Sequence, residues 1–180
     1  MWGHWFWPKR PIETKHNTLM FQIVLVEPEI PPNTGSVART CAATGTELHL
    51  VEPLGFQIND RQLKRAGLDY WPLVSLQRHA DWSAFADHRV RSGGRLVALS
   101  SHASQPYTSW QFEPDDWLLF GRETDGLPTD VLGSADAALT IPMSGAKRPQ
   151  QAGVRSLNLS VSVGVVLFEA LRQQNLLTLL

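Results

Sequence analysis

The chain predicts an α/β domain, a mostly parallel sheet with helices on both faces, and three observations lead there. Short apolar runs alternate with helix-compatible segments along the body of the sequence. The run Trp117-Leu118-Leu119-Phe120 is apolar throughout, as a strand covered on both faces must be, and it stops at Gly121 with a carboxylate, Glu123, just beyond. The length of 180 residues, with 43% hydrophobic and 18% charged, suits one soluble globule with a sizeable core.

Residues 21–26 form the first β-rich run and residues 47–51 the second. Between them residues 36–43 have helical spacing behind Asn33, whose side chain suits an N-cap. Asn59 and Asp60 open a short helix that Gly67 closes, and residues 70–74 read as an edge strand because Pro72 has no N–H for a central ladder. A helix over 81–90, strands over 95–100 and 117–120, a short helix over 128–132 with Pro128 at its first position, and a strand over 138–141 continue the alternation. In the last segment, 156–173, Val161, Val163 and Val165 alternate as in a strand. Its length argues for a helix instead: Ser156 offers a cap, and Leu167, Phe168 and Leu171 recur at helical spacing. This helix is expected to be apolar nearly all round and deeply buried.

Residues 1–19 differ from the rest, with Trp2, Trp5, Phe6 and Trp7 crowded ahead of Pro8. That apolar stretch is far too short for a signal-peptide core or a membrane span. The expected organisation is a loose aromatic extension, 1–19, before a single domain, 20–180. Lys and Arg number 16 against 17 Asp and Glu, a net charge of −1, so no global basic excess marks a nucleic-acid partner. Basic residues do group locally, as Arg61, Lys64 and Arg65, as Arg89, Arg91 and Arg95, and as Lys147, Arg148 and Arg155. Such groups serve equally well as solvated faces.

Cys41, the sole cysteine, excludes an intramolecular disulfide and fits a reducing cytoplasm; it reads as a small buried side chain rather than a nucleophile. The six histidines give no metal-ligand pair on one helical face, so no metal is expected, and His79, His88 and His102 receive no role. Neither a Gly-x-x-x-x-Gly-Lys-Ser/Thr run nor a Gly-x-Gly-x-x-Gly after a strand is present, which disfavours nucleotide-dependent enzymes.

In a parallel sheet, ligands sit beyond the carboxyl ends of strands, and three loops qualify: those after Val26, Phe120 and Ile141. The first carries Asn33 and, six residues on, Arg39, either a phosphate clamp near a helix N-terminus or a solvated arginine on a capped helix. In the second, Gly121 and Gly126 let the main chain turn and approach a ligand closely. The third holds Ile141-Pro142-Met143 and later Arg155-Ser156-Leu157-Asn158, which alone reads as a serine-capped core helix.

Taken together, Pro-Asn33-Thr-Gly-Ser-Val-Ala-Arg39-Thr, Phe-Gly121-Arg-Glu123-Thr-Asp-Gly126-Leu-Pro128 and Ile141-Pro-Met with Ser156-Leu-Asn158 resemble the three signature motifs of the SPOUT RNA methyltransferases. The likeness is greatest to the TrmL/YibK-like group, through Glu27-Pro-Glu-Ile-Pro-Pro-Asn-Thr-Gly35 and Arg65-Ala-Gly-Leu-Asp-Tyr70, and it covers residues 20–173. The resemblance implies an α/β knot with a deep C-terminal trefoil, a homodimer, and S-adenosylmethionine as methyl donor. It further implies methylation of the ribose 2′-hydroxyl of the tRNA wobble nucleotide, position 34, a cytidine or modified uridine of leucine isoacceptors. By the same carry-over, Leu99, Gly121, Leu127, Ile141, Ser156 and Leu157 belong to the cofactor pocket. Arg39, Glu123 and Asn158 are the polar functional positions, and Asn33 and Arg155 serve the substrate.

Arg39 is expected to bind the phosphate beside the reacting ribose and stabilise the developing alkoxide, because a guanidinium does not deprotonate readily enough to be a literal base. Glu123 is expected to orient Arg39 or a backbone N–H of the loop. The chain departs from many relatives in carrying Asp125 where they have Arg, Phe168 where they have Tyr, and a longer segment over 144–154. Two rival readings stand beside this one. The first is a ribose methyltransferase for another tRNA position or for ribosomal RNA; the second is a non-catalytic RNA-binding factor with a vestigial cofactor pocket.

Overall fold

The computed structural model of the chain describes residues 20–57, 71–143 and 156–177. The extension at 1–19, the short helix expected from Asn59 to Gly67, the 144–154 segment with Lys147 and Arg148, and Arg155 lie outside the described residues. In chain order the elements are β1 (Gln22–Val26), α1 (Pro31–Thr44), β2 (Glu47–Val51), β3 (Leu76–His79) and α2 (Trp82–Ser92). They continue as β4 (Leu96–Leu99), β5 (Gln105–Pro106), β6 (Trp117–Phe120), α3 (Thr129–Gly133), β7 (Ala137–Thr140) and α4 (Leu159–Gln173). Single turns of 3₁₀ helix occupy Trp71–Leu73 and Tyr107–Ser109.

The seven strands form one sheet in the order β3-β2-β1-β6-β4-β7-β5, and every neighbouring pair is parallel. β1 lies in its interior between β2 and β6, and its alternation shows why both faces need helices. Ile23 and Leu25 join Val37, Cys41, Val163 and Leu167 in one core, between the sheet and the pair α1 and α4. Val24 and Val26 join Phe85, Leu119 and Val131 in a second core under α2 and α3. Each such side chain, removed fully from water, contributes about 1.5–3 kcal/mol, so both layers are needed. No described helix is long and apolar enough to cross a membrane.

Several expectations are corrected by the fold. Helix α1 begins at Pro31, not behind Asn33: Pro31 and Pro32 take the first positions, where a missing N–H costs nothing, and Ile30 is the N-cap residue without a side-chain bond. Asn33 is freed for another use, described below. Of the expected edge strand over 70–74, the described residues 71–74 are not a strand; the sheet takes its next strand at Leu76–His79, whose Gln77 and Arg78 are exposed. α4 is capped by Asn158, whose Oδ1 accepts from the Ser160 N–H at 2.9 Å, rather than by Ser156. Nor is α4 buried all round: Val161 and Phe168 are 49% and 46% exposed, a face turned away from α1.

On the α2 side the histidines come together. His49 of β2 is fully buried, its Nδ1 lies 3.0 Å from His79 Nε2, and the two rings stack at 14°. His88 of α2, Phe85 and Trp117 pack against His49. Burial, and then the charges that His49 and His88 would carry, push the His79 imidazole down to about 4. Among the described residues no cluster could hold a metal ion. Cys41 is buried as expected, and burial pushes its thiol up to about 12, where it is inert.

Candidate functional site

The carboxyl ends of β1, β6, β4 and β7 open on a cleft of about 590 Å³. Its wall begins at Gly121, immediately after β6. A Cβ there would stand 2.1 Å from Gly126 C and 2.2 Å from the Leu127 N, both backbone atoms, so no other residue fits. The reason is a tight reversal: Arg122 and Gly126 exchange N–H···O bonds of 3.0 Å in both directions. Gly126 makes the turn at φ +81°, in the left-handed region that favours glycine.

Glu123 stands at the tip of this reversal and reaches across to the loop after β1. Its Oε2 accepts the Glu29 N–H at 2.8 Å, and its Oε1 accepts the Ile30 N–H at 3.3 Å and Asn33 Nδ2 at 2.9 Å. Asn33 Oδ1 in turn accepts Asn158 Nδ2 at 2.9 Å. A carboxylate, one amide and a second amide therefore tie the loops after β1 and β6 to the start of α4. The helix α1, which lacks a side-chain cap of its own, is held at its entry by a residue about ninety positions away. Of the two roles expected for Glu123, orienting backbone N–H groups is the one these bonds display.

All six residues expected at the cofactor line the cleft: Leu99, Gly121, Leu127, Ile141, Ser156 and Leu157. Asn33, Glu123 and Asn158 line it as well. Arg39 does not. It lies on the exposed side of α1, about 9 Å further along the helix axis than Asn33 at 1.5 Å per residue.

Two features escaped the sequence reading. Ser100, His102 and Thr140 add polar groups to the cleft. Asp125, noted only as a departure, forms a two-pronged pair with Arg122, Oδ1 to Nε at 2.7 Å and Oδ2 to Nη2 at 2.9 Å. The spacing of three residues inside a loop bounded by glycines was a signal for that pair. No local signal exists for the third member, Glu27, whose Oε2 lies 3.1 Å from Arg122 Nη1.

Among the described residues the rim is acidic: Asp125, Glu27 and Glu29 surround one guanidinium, Arg122, and Glu123 borders the cleft beside them. Such a rim favours a cation over a phosphate. Two members of the basic group at 89, 91 and 95 are engaged by carboxylates, Arg89 by Asp136 at 3.2 Å and Arg95 by the buried Asp116 at 2.7 Å.

Comparison with known proteins gives a consistent pattern. The model of the SpoU rRNA Methylase family matches residues 20–168. The tRNA (cytidine(34)-2'-O)-methyltransferase of Polaromonas sp. (strain JS666) is 52% identical over 154 residues, covering 86% of this chain and 91% of that protein. A solved structure concerned with 2-OH methylation of C/U34 on tRNA matches with a TM-score of 0.80 at 47% identity, over 87% of this chain and 97% of that one. An AdoMet-bound rRNA methyltransferase from Sinorhizobium meliloti matches with a TM-score of 0.77 at 27% identity, over 88% of this chain and 57% of that one.

Proposed function

The chain belongs to the SpoU rRNA Methylase family, and from that premise we propose that it methylates the ribose 2′-hydroxyl of nucleotide 34 of tRNA with S-adenosylmethionine as donor. The observation that carries the proposal is that eight residues from three separate sequence motifs line one cleft, joined there by Leu99 at the end of β4. The residues present fit the donor. Gly121 leaves the backbone bare where a Cβ would be blocked, Leu99, Leu127, Ile141 and Leu157 supply apolar walls, and the acidic rim suits a positive charge. When bound, the donor supplies a methyl group activated by a sulfonium.

The chain's own residues then have distinct tasks. The bonded trio Glu123, Asn33 and Asn158 fixes the cleft's three loops relative to one another, so that donor and hydroxyl meet in line without further ordering. Arg39 offers a planar pair of donors to the phosphate beside the reacting ribose and to the alkoxide as it forms. It lies outside the cleft of its own chain, and we place it at a site completed by a second copy in a homodimer. The exposed Val161 and Phe168 of α4 support an assembly that covers this helix. Arg155 completes the substrate set, the knotted C-terminal topology is part of the same reading, and the cytoplasm is the compartment it implies. The finer proposal is a leucine isoacceptor with cytidine or modified uridine at position 34.

Transfer of labelled methyl to unmodified total tRNA, mapped by nuclease digestion beside Arg39→Ala, tests this. Label at ribose 34, absent with the variant, is the expected result. Label elsewhere on tRNA or on ribosomal RNA would overturn the substrate. No S-adenosylmethionine binding at millimolar concentration would point to a vestigial pocket.

A further inference from the structure

We infer that Glu27, acting through Arg122, is a positioning residue for the cleft; this rests on the reading of the cleft as a cofactor site. Glu27 directly follows β1 and holds φ at +51°, a left-handed conformation that residues bearing a side chain rarely adopt. Its N–H is bonded to the Val51 carbonyl at 2.9 Å, which fixes the backbone in that shape, and its carboxylate is thereby turned toward the loop after β6. There it meets Arg122 Nη1, while Nε and Nη2 of the same guanidinium are held by Asp125. The reversal from Arg122 to Gly126 is therefore closed twice, by its backbone pair and by the Arg122–Asp125 pair, and the closed loop is moored to the end of β1 by Glu27.

Gly121, the wall of the cleft, immediately precedes this moored segment. An arginine so placed invites a second interpretation, as a ligand for RNA phosphate. The geometry disfavours it, because three nitrogens of the guanidinium already face carboxylates and Glu29 adds further negative charge beside them. Exposed ion pairs contribute little to global stability, so the effect belongs in the loop's geometry rather than in the melting temperature.

The test uses the full chain and the variants Glu27→Gln, Glu27→Asp, Arg122→Ala and the double variant Glu27→Gln with Arg122→Ala. In the absence of any ligand, amide exchange at Gly126 and in residues 122–126 should quicken about fivefold in Glu27→Gln. In the methyl-transfer assay, KM for S-adenosylmethionine should rise about fivefold with kcat changed less than about twofold, and the double variant should be no worse than Arg122→Ala alone. Glu27→Asp should recover part of the loss. The slope of tRNA affinity against salt should be unchanged in Arg122→Ala.

Unchanged exchange in Glu27→Gln, or additive losses in the double variant, would overturn the inference. So would a salt slope reduced by about one in Arg122→Ala, which would put that arginine on a phosphate. Should the wild type transfer no methyl group, the functional reading falls while the exchange measurement still decides the role of Glu27.

Discussion

At the entry of α1, Glu123, Asn33 and Asn158 are joined by hydrogen bonds that span three loops; on the opposite side of the sheet, His49, His79 and His88 are packed ring against ring among Phe85 and Trp117. Both are networks of polar side chains, yet they are built differently. The first joins acceptors to donors, two of them on Glu123 Oε1, comes from loops, and borders the cleft. The second is made of titratable rings on regular elements and lies within the α2 layer, and none of its rings lines the cleft. The difference separates residues that shape a site from residues that fill a layer, although both were equally polar in the sequence.

Substitutions sharpen that contrast. The largest effect is expected of Gly121→Ala, because the new methyl group meets backbone 2.1 Å away and the reversal must open. Methyl transfer should fall by about 100-fold or more with the sheet's far-ultraviolet dichroism retained; full activity would mean that the loop adopts another path. Next comes Glu123→Ala, which leaves two backbone N–H groups and Asn33 Nδ2 without their acceptor. At about 1–3 kcal/mol for an unsatisfied buried donor, cofactor affinity measured by calorimetry should drop about tenfold.

The histidine layer should answer to pH instead. His79 takes its proton near 6.5 when unfolded but only near about 4 in the fold, so between those values the unfolded chain binds more protons. Stability is therefore full above about 6.5 and declines as pH falls toward 4, with His88, also pushed down by burial, acting in the same direction; the Glu47 carboxylate lessens both histidine shifts. A melting temperature several degrees lower at pH 5 than at pH 7.5, with the difference diminished in His79→Gln, is the expected result. The same variant at pH 7.5 should keep methyl transfer within about twofold; a larger loss would join the two networks. The smallest effect belongs to Cys41→Ala on the buried side of α1, costing about 1 kcal/mol by denaturant titration and leaving transfer unchanged.

What the sequence disclosed follows from the same physics. β1, β2 and β6 were readable because strands covered on both faces must be nearly continuous apolar runs. β3 was not, since Leu76-Gln-Arg-His79 lies at one border of the sheet with two exposed polar residues, and the two-residue β5 has no period to detect. Asn33 was read as a cap because its type favours caps; the prolines before it start the helix instead and leave its amide to bridge Glu123 and Asn158. The cleft's lining was legible through the motifs, but their spacing says nothing about pairs such as Glu27 with Arg122, 95 residues apart, which only the parallel pairing of β1 with β6 brings together. The exposed stripe of α4 was misjudged for a related reason: an apolar helix pattern does not say that every face is covered, since much of a folded surface is itself apolar.

The reach of Glu123 into the entry of α1 has a thermodynamic corollary. One carboxylate both borders the cleft and fixes the turn from which the helix carrying Arg39 departs, so cleft and helix are linked rather than independent equilibria. A ligand that steadies the loop after β6 steadies that helix. By reciprocity, whatever steadies the helix raises affinity in the cleft by the same factor. On the proposed reading, in which the cleft takes the donor and Arg39 the acceptor, the two are cooperative partners in binding before any bond between them changes.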